Sequence, residues 1–214
     1  MSFASKLAMS KLGRVALPAI LLASLAVPAL AHPGHPAGHP GGEAHAAGFA
    51  AGFAHPFGGF DHLLGMIAVG LWAVQFAARS GNRSSLWLLP AAFVLPMGAG
   101  FLLALSGIVL PGVEAGIALS VLLLGLAVAF AARPPLAAAM AVTAGFALFH
   151  GFAHGAEMGE GVAAAYAAGM LLATALLHGI GLAGALLTQQ IATPVLTRAA
   201  GVAVAVAGVV ILVA

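Results

Sequence analysis

Residues 55–85 read HPFGGFDHLLGMIAVGLWAVQFAARSGNRSS, an apolar run with a histidine- and aspartate-bearing entrance and an arginine-bearing polar exit. A bilayer core about 30 Å thick needs roughly 20 helical residues to cross it, and this run has that length. Inside lipid the backbone must satisfy its own hydrogen bonds, so the run is expected to be helical. Composition extends the reading to the whole chain. Of 214 residues, 63% are hydrophobic and 6% charged, too few polar side chains to cover a water-soluble domain of this size. The expected fold class is all-α, a polytopic membrane protein whose first partner is the lipid bilayer. Cysteine is absent, which excludes disulfides, thiolate metal sites and cysteine nucleophiles.

Charges, prolines and polar breaks divide the remainder into six stretches of span length, at 54–78, 86–108, 113–132, 135–156, 162–187 and 195–214. Their short connections predict antiparallel neighbours. Upstream, Lys6, Lys11 and Arg14 precede an apolar run from Val15 that closes on Ala29-Leu30-Ala31, the plan of a cleaved secretory signal peptide over residues 1–31. Residues 32–53, rich in His, Pro and Gly, are expected to be a flexible periplasmic segment, and 54–214 the six-helix transmembrane domain. Removing the leader takes three cations from a net charge of +2 and leaves −1, with no basic cluster, so nucleic-acid binding is not expected. A leader that carries His32 out places Arg79, Arg83, Arg133 and Arg198 in cytoplasmic loops, as the positive-inside rule asks of an inner-membrane protein. Glu114, Glu157 and Glu160 fall on the other side.

Three groups of ionisable residues could carry chemistry. In the first, His55 and His62 are seven apart, one helix face if the span starts near Pro56, with Asp61 beside His62. In the second, FHGFAHGAE at 149–157, His150, His154 and Glu157 fall at i, i+4 and i+7, a stripe that presents two imidazoles and a carboxylate to one divalent cation. The first span runs inward and the fourth outward, so both groups lie at the outer face and would share a site if those spans meet. Intramembrane carboxylates are costly and usually functional. The third group, His32, His35, His39 and His45, is expected to be a metal-collecting tail, or else a low-complexity linker. Its deletion is expected to raise the metal concentration needed for uptake. His178, in the inner half of the fifth span, is either a packing residue or a second station on a path inward. Gly151 and Gly155, four apart, predict a close helix contact.

Nitrogen with some carboxylate oxygen suits Ni²⁺, Co²⁺, Zn²⁺ or Cu²⁺ and does not choose among them. No Walker sequence or large soluble loop is present, so movement of an ion would be secondary, driven by the membrane potential, by consumption inside or by a partner. No prosthetic group and no enzymatic activity are expected. The alternatives are an intramembrane zinc-dependent hydrolase and a metal-holding assembly factor that does not transport.

HPFGGFDH and FHGFAHGAE together resemble the paired signatures of the HupE/UreJ family, hydrogenase and urease accessory membrane proteins regarded as nickel permeases. The first pattern, His, five residues, then Asp-His, is matched by His55, Asp61 and His62. The second is matched by Phe149, His150, Gly151, His154, Gly155 and Glu157. The leader and six spans also resemble the family plan. The resemblance implies nickel as the transported ion, with cobalt second, and nickel-enzyme maturation proteins of a hydrogenase or urease downstream. It implies nothing for the tail histidines or His178.

Overall fold

The computed structural model describes residues 42–159, 161–191 and 194–214. The expected leader, His32, His35, His39 and Glu160 lie outside them. Among the described residues the chain is all-helical: α1 (Gly42–Ala54), a 3-10 turn (His55–Phe57), α2 (Phe60–Ser80), α3 (Ser85–Leu105), α4 (Val113–Ala129), α5 (Leu136–Ala156), α6 (Ala163–Ile191) and α7 (Val195–Val213). Five of these, α2, α3, α5, α6 and α7, are long and apolar enough to cross a membrane. Helix α4 is equally apolar but has 17 residues, about 25 Å at 1.5 Å per residue. The outward faces carry Leu95, Leu102, Leu176, Val206 and Val210, apolar side chains that only lipid or another apolar surface would solvate well.

The helix ends follow local chemistry. Helix α2 begins after Gly59, whose extended backbone (φ −113°, ψ 127°) caps it and whose carbonyl accepts the Leu63 N–H at 3.0 Å. It ends at Gly81, left-handed at φ 73°, a conformation that costs glycine little. This corrects the expected first span at 54–78. Two consecutive glycines resist helix, so the chain breaks at Gly58-Gly59, and His55 and His62 stand on different elements rather than on one helical face.

The segment expected to be flexible over 32–53 is also corrected in part: from Gly42 it is helix α1. The apolar GFAAGFA end of α1 lies along α6, where added Cβ atoms at Gly52 and Gly169 would run into the Tyr166 and Phe49 carbonyls. That close approach orders a segment whose composition reads as linker.

Lateral order departs from the expectation that short loops make sequence neighbours the chief partners. The most extensive packing pairs α3 with α5 and α4 with α7, and α6 carries both α1 and α2. Small residues set these crossings, since lipid supplies no hydrophobic drive between helices and only close approach builds contact. The Gly151 face of α5 lies against the Met97 carbonyl of α3, as the four-residue glycine spacing predicts.

Polar ends separate cleanly. Asp61, His154 and Glu157 belong to one end of the bundle and Arg79, Arg83, Arg133 and Arg198 to the other. There Arg198 donates through Nε to the Ala129 carbonyl at 2.7 Å, and Arg133 donates to the Arg79 carbonyl at 3.4 Å. Cations at the C-terminal ends of α4 and α2 meet the negative poles of those helix dipoles.

Candidate metal site

The break at Gly59 shapes the first half of the site. With no Cβ there, the Asp61 carboxylate folds back into the space: an added Cβ would stand 2.5 Å from Asp61 Oδ1 and 3.2 Å from His62 Nδ1. Asp61 Oδ1 accepts the His62 backbone N–H at 2.7 Å and lies 2.8 Å from His62 Nδ1. A carboxylate can only accept, so Nδ1 carries the proton and the Nε2 lone pair is left for a ligand. Asp61 therefore sits as the group that orients His62, the arrangement in which a carboxylate fixes the tautomer of a ligating imidazole.

Helix α5 supplies the second half. His150 Nδ1 donates to the Phe146 carbonyl one turn back at 3.0 Å, which again leaves Nε2 as the acceptor. That Nε2 faces Gly65 of α2, 3.4 Å from where a Cβ would be. His154 lies one turn outward. Glu157 ends the helix as its C-terminal cap residue, near enough to helical geometry to keep the predicted stripe.

The two halves meet. Ring centres of His62 lie 5.0 Å from His150 and 4.5 Å from His154, and His55 lies 4.7 Å from His154 and 6.2 Å from His62. His55 Nε2 and Glu157 Oε2 are 3.0 Å apart at the rim, across 102 residues of sequence. The six ionisable residues of the two motifs are thus gathered in one place, with His150 and His154 fully buried, His62 nearly so and Glu157 half exposed. Among the tail histidines, His45 falls within α1, apart from the cluster in sequence. His178 is buried deeper.

Four buried nitrogens of this cluster have no hydrogen-bond partner: His62 Nε2, His150 Nε2, and both ring nitrogens of His154. Leaving a buried polar group unpaired costs about 1–3 kcal/mol, so such a concentration marks a place where a partner belongs. Two imidazoles sharing one ion through bonds of about 2.1 Å stand with ring centres roughly 4.5–5.5 Å apart, the spacing seen for His62 with both helix-α5 histidines. The rings stand edge to face, however, and among the described residues no three His, Asp or Glu donors already converge on one point.

Two neighbours of the cluster were not anticipated from sequence. Tyr166, the chain's single tyrosine, has a buried, unpartnered hydroxyl and a ring centre 5.9 Å from that of His55. A lone phenol in the otherwise Ala/Gly/Leu/Met stretch at 163–173, AAAYAAGMLLA, was the available signal. Phe93 lies 5.2 Å from His150, and nothing separates it in sequence from other span phenylalanines.

Fold and site define a multi-helix, lipid-compatible protein with a buried polyimidazole cluster at one end. The HupE / UreJ protein family model matches residues 20–211. Protein HupE of Rhizobium leguminosarum bv. viciae is 45% identical over 193 residues, covering 90% of this chain and 95% of that protein. The chain belongs to the HupE/UreJ family. No solved structure matches it.

Proposed function

We propose that the chain is a secondary permease for a divalent transition metal, nickel first and cobalt second, which takes the ion from the His/Asp/Glu cluster on the periplasmic side of the inner membrane to the cytoplasm. The reading includes six spans, with α4 as the short one, a cleaved leader over 1–31, and the arginine-bearing end facing the cytoplasm. Its downstream partners are maturation proteins of a hydrogenase or urease. The observation that carries it is the set of unpaired imidazole nitrogens on His62, His150 and His154 beneath a His55–Glu157 rim. Imidazole nitrogen with no thiolate is the ligand chemistry of Ni²⁺ and Co²⁺. A divalent cation moving inward gains about 4.6 kcal/mol per 100 mV, twice the single-charge figure, which supports accumulation without ATP.

A hydrolase would need a carboxylate free to activate water beside the ion. Asp61 is instead turned onto His62, and Glu157 stands at the rim with His55. The test is ⁶³Ni uptake by cells expressing the wild type, His62→Ala and His154→Ala. Uptake by the wild type and its loss in both variants is expected. Binding without internal accumulation would identify a metal-holding factor and end the permease reading.

A further inference from the structure

The outer cluster has a floor, and a second imidazole lies against it. Phe93 of α3 is fully buried, with its ring centre 5.2 Å from that of His150 and 5.2 Å from that of His178 on α6. His178 is 1% exposed, and neither ring nitrogen has a hydrogen-bond partner. Its depth follows from α2: the His178 carbonyl lies against Gly70, where a Cβ would overlap it. Gly70 is two turns further along α2 than His62, about 12 Å at 1.5 Å per residue. One turn before His178, Thr174 donates its hydroxyl to Met97 Sδ at 3.5 Å, and Met97 is one turn outward of Phe93 on α3. Toward the arginine end, Gln75 Oε1 on α2 and Thr143 Oγ1 on α5 are further buried oxygens without partners.

A packing role does not account for His178. An interhelical hydrogen bond is the usual reason for a histidine in a span, and this one makes none. An apolar residue of similar size would fill the space without leaving two buried nitrogens unpaired.

We infer that His178 is an inner ligand station for the same divalent ion, separated from the outer cluster by the Phe93 ring, which turns aside to let the ion pass. The inference rests on the permease reading and adds to it a route and an order of events. Conduction requires sites that bind well enough to be entered and weakly enough to be left. Several imidazoles and two carboxylates gather outside, whereas a single imidazole waits inside, so affinity falls along the direction of travel. The ring between them keeps the two stations from being one open channel.

The test separates capture from passage. His178→Gln and His178→Ala are made in the full chain; Ni²⁺ binding is measured by titration calorimetry on detergent-purified protein, and ⁶³Ni uptake is measured in cells at matched expression. Both variants are expected to bind Ni²⁺ about as tightly as the wild type while initial uptake falls about tenfold or more, the range lost when a metal-site partner is removed. Wild-type uptake in either variant overturns the inference. Loss of Ni²⁺ binding together with uptake, or aggregation of both variants on gel filtration, would make His178 part of the outer cluster or of the fold, and overturns it too. Failure of the permease reading is distinguishable, because it appears in the wild type itself, as Ni²⁺ binding by the purified protein with no ⁶³Ni accumulation above that of cells lacking the chain, whereas failure of the inference is seen in the His178 variants while the wild type still accumulates the ion.

Discussion

Helix α5 contains glycines in opposite environments, and they predict opposite outcomes for one substitution. A Cβ added at Gly155 would stand 2.7 Å from Ala104 Cβ and 2.7 Å from the Phe101 carbonyl oxygen, both on α3. Non-bonded carbons rest about 3.5–4.0 Å apart, so in Gly155→Ala the outer turn of α5 must retreat from α3 by roughly 1 Å. Forced repacking of this kind costs about 1–3 kcal/mol, and the better helix propensity of alanine returns about 0.5–1 kcal/mol, a net loss of about 1 kcal/mol at mid-range and up to about 2.5 kcal/mol. At Gly145 a Cβ meets nothing within 4 Å, so Gly145→Ala keeps only the propensity gain. The functional consequence follows from sequence adjacency. His154 moves with Gly155, and ligand distances in a metal site hold within about 0.2 Å; Gly155→Ala should therefore cut ⁶³Ni uptake about tenfold to a hundredfold, the range found when ligand support is lost. Thermal aggregation midpoints in detergent, followed by gel filtration, report stability, and uptake in cells reports function. Equal stability and uptake for Gly155→Ala and the wild type, or equal damage from Gly145→Ala, would refute the claim that the α3/α5 crossing positions the site.

Two further outcomes are expected. Imidazole binds a metal through a lone pair that protonation removes, so Ni²⁺ bound to the purified protein should be held near neutral pH and released on acidification; an acid titration that never displaces the bound ion would argue against imidazole capture. At the opposite end, Arg198→Ala removes the donor that caps the Ala129 carbonyl at 2.7 Å and should lower stability by about 0.5–1.5 kcal/mol while Ni²⁺ binding by the purified protein stays unchanged.

The parts of this molecule that were legible in the sequence are those governed by one helix at a time. The 3.6-residue period places His150, His154 and Glu157 on one stripe whatever surrounds them, and hydropathy with short polar breaks locates α3 to α7 to within about four residues, while α2 starts six residues later than expected. The shared end of His62 and that stripe was accessible too, because two spans of opposite direction put both motifs there; their meeting is a further condition, since it depends on lateral order. What was not legible depends on several elements at once. His55 reaches the cluster from a 3-10 turn because Gly58-Gly59 interrupts the helix, and Asp61 turns onto His62 because Gly59 leaves room. Neither backbone choice can be read from residue spacing. Helix α1 forms where composition reads as linker, since its order comes from contact with α6 rather than from its own sequence. Lateral order was hidden for the same reason: glycines mark where close crossings occur and do not say which helix is crossed.

That lateral order explains why a pocket exists at all. Helices α2 and α5 carry the two motifs yet hardly pack on one another; α5 packs chiefly on α3 and α2 chiefly on α6, while α3 and α4 each also pack on both motif-bearing helices. Two ligand-bearing helices in close backbone contact would have spent their facing surfaces on each other. With little backbone packing between them, they meet at the imidazoles of His62, His150 and His154, with Gly65 facing His150 Nε2 where a larger residue would fill the space. The helices that do the holding also supply what lies below, Phe93 from α3 and His178 from α6.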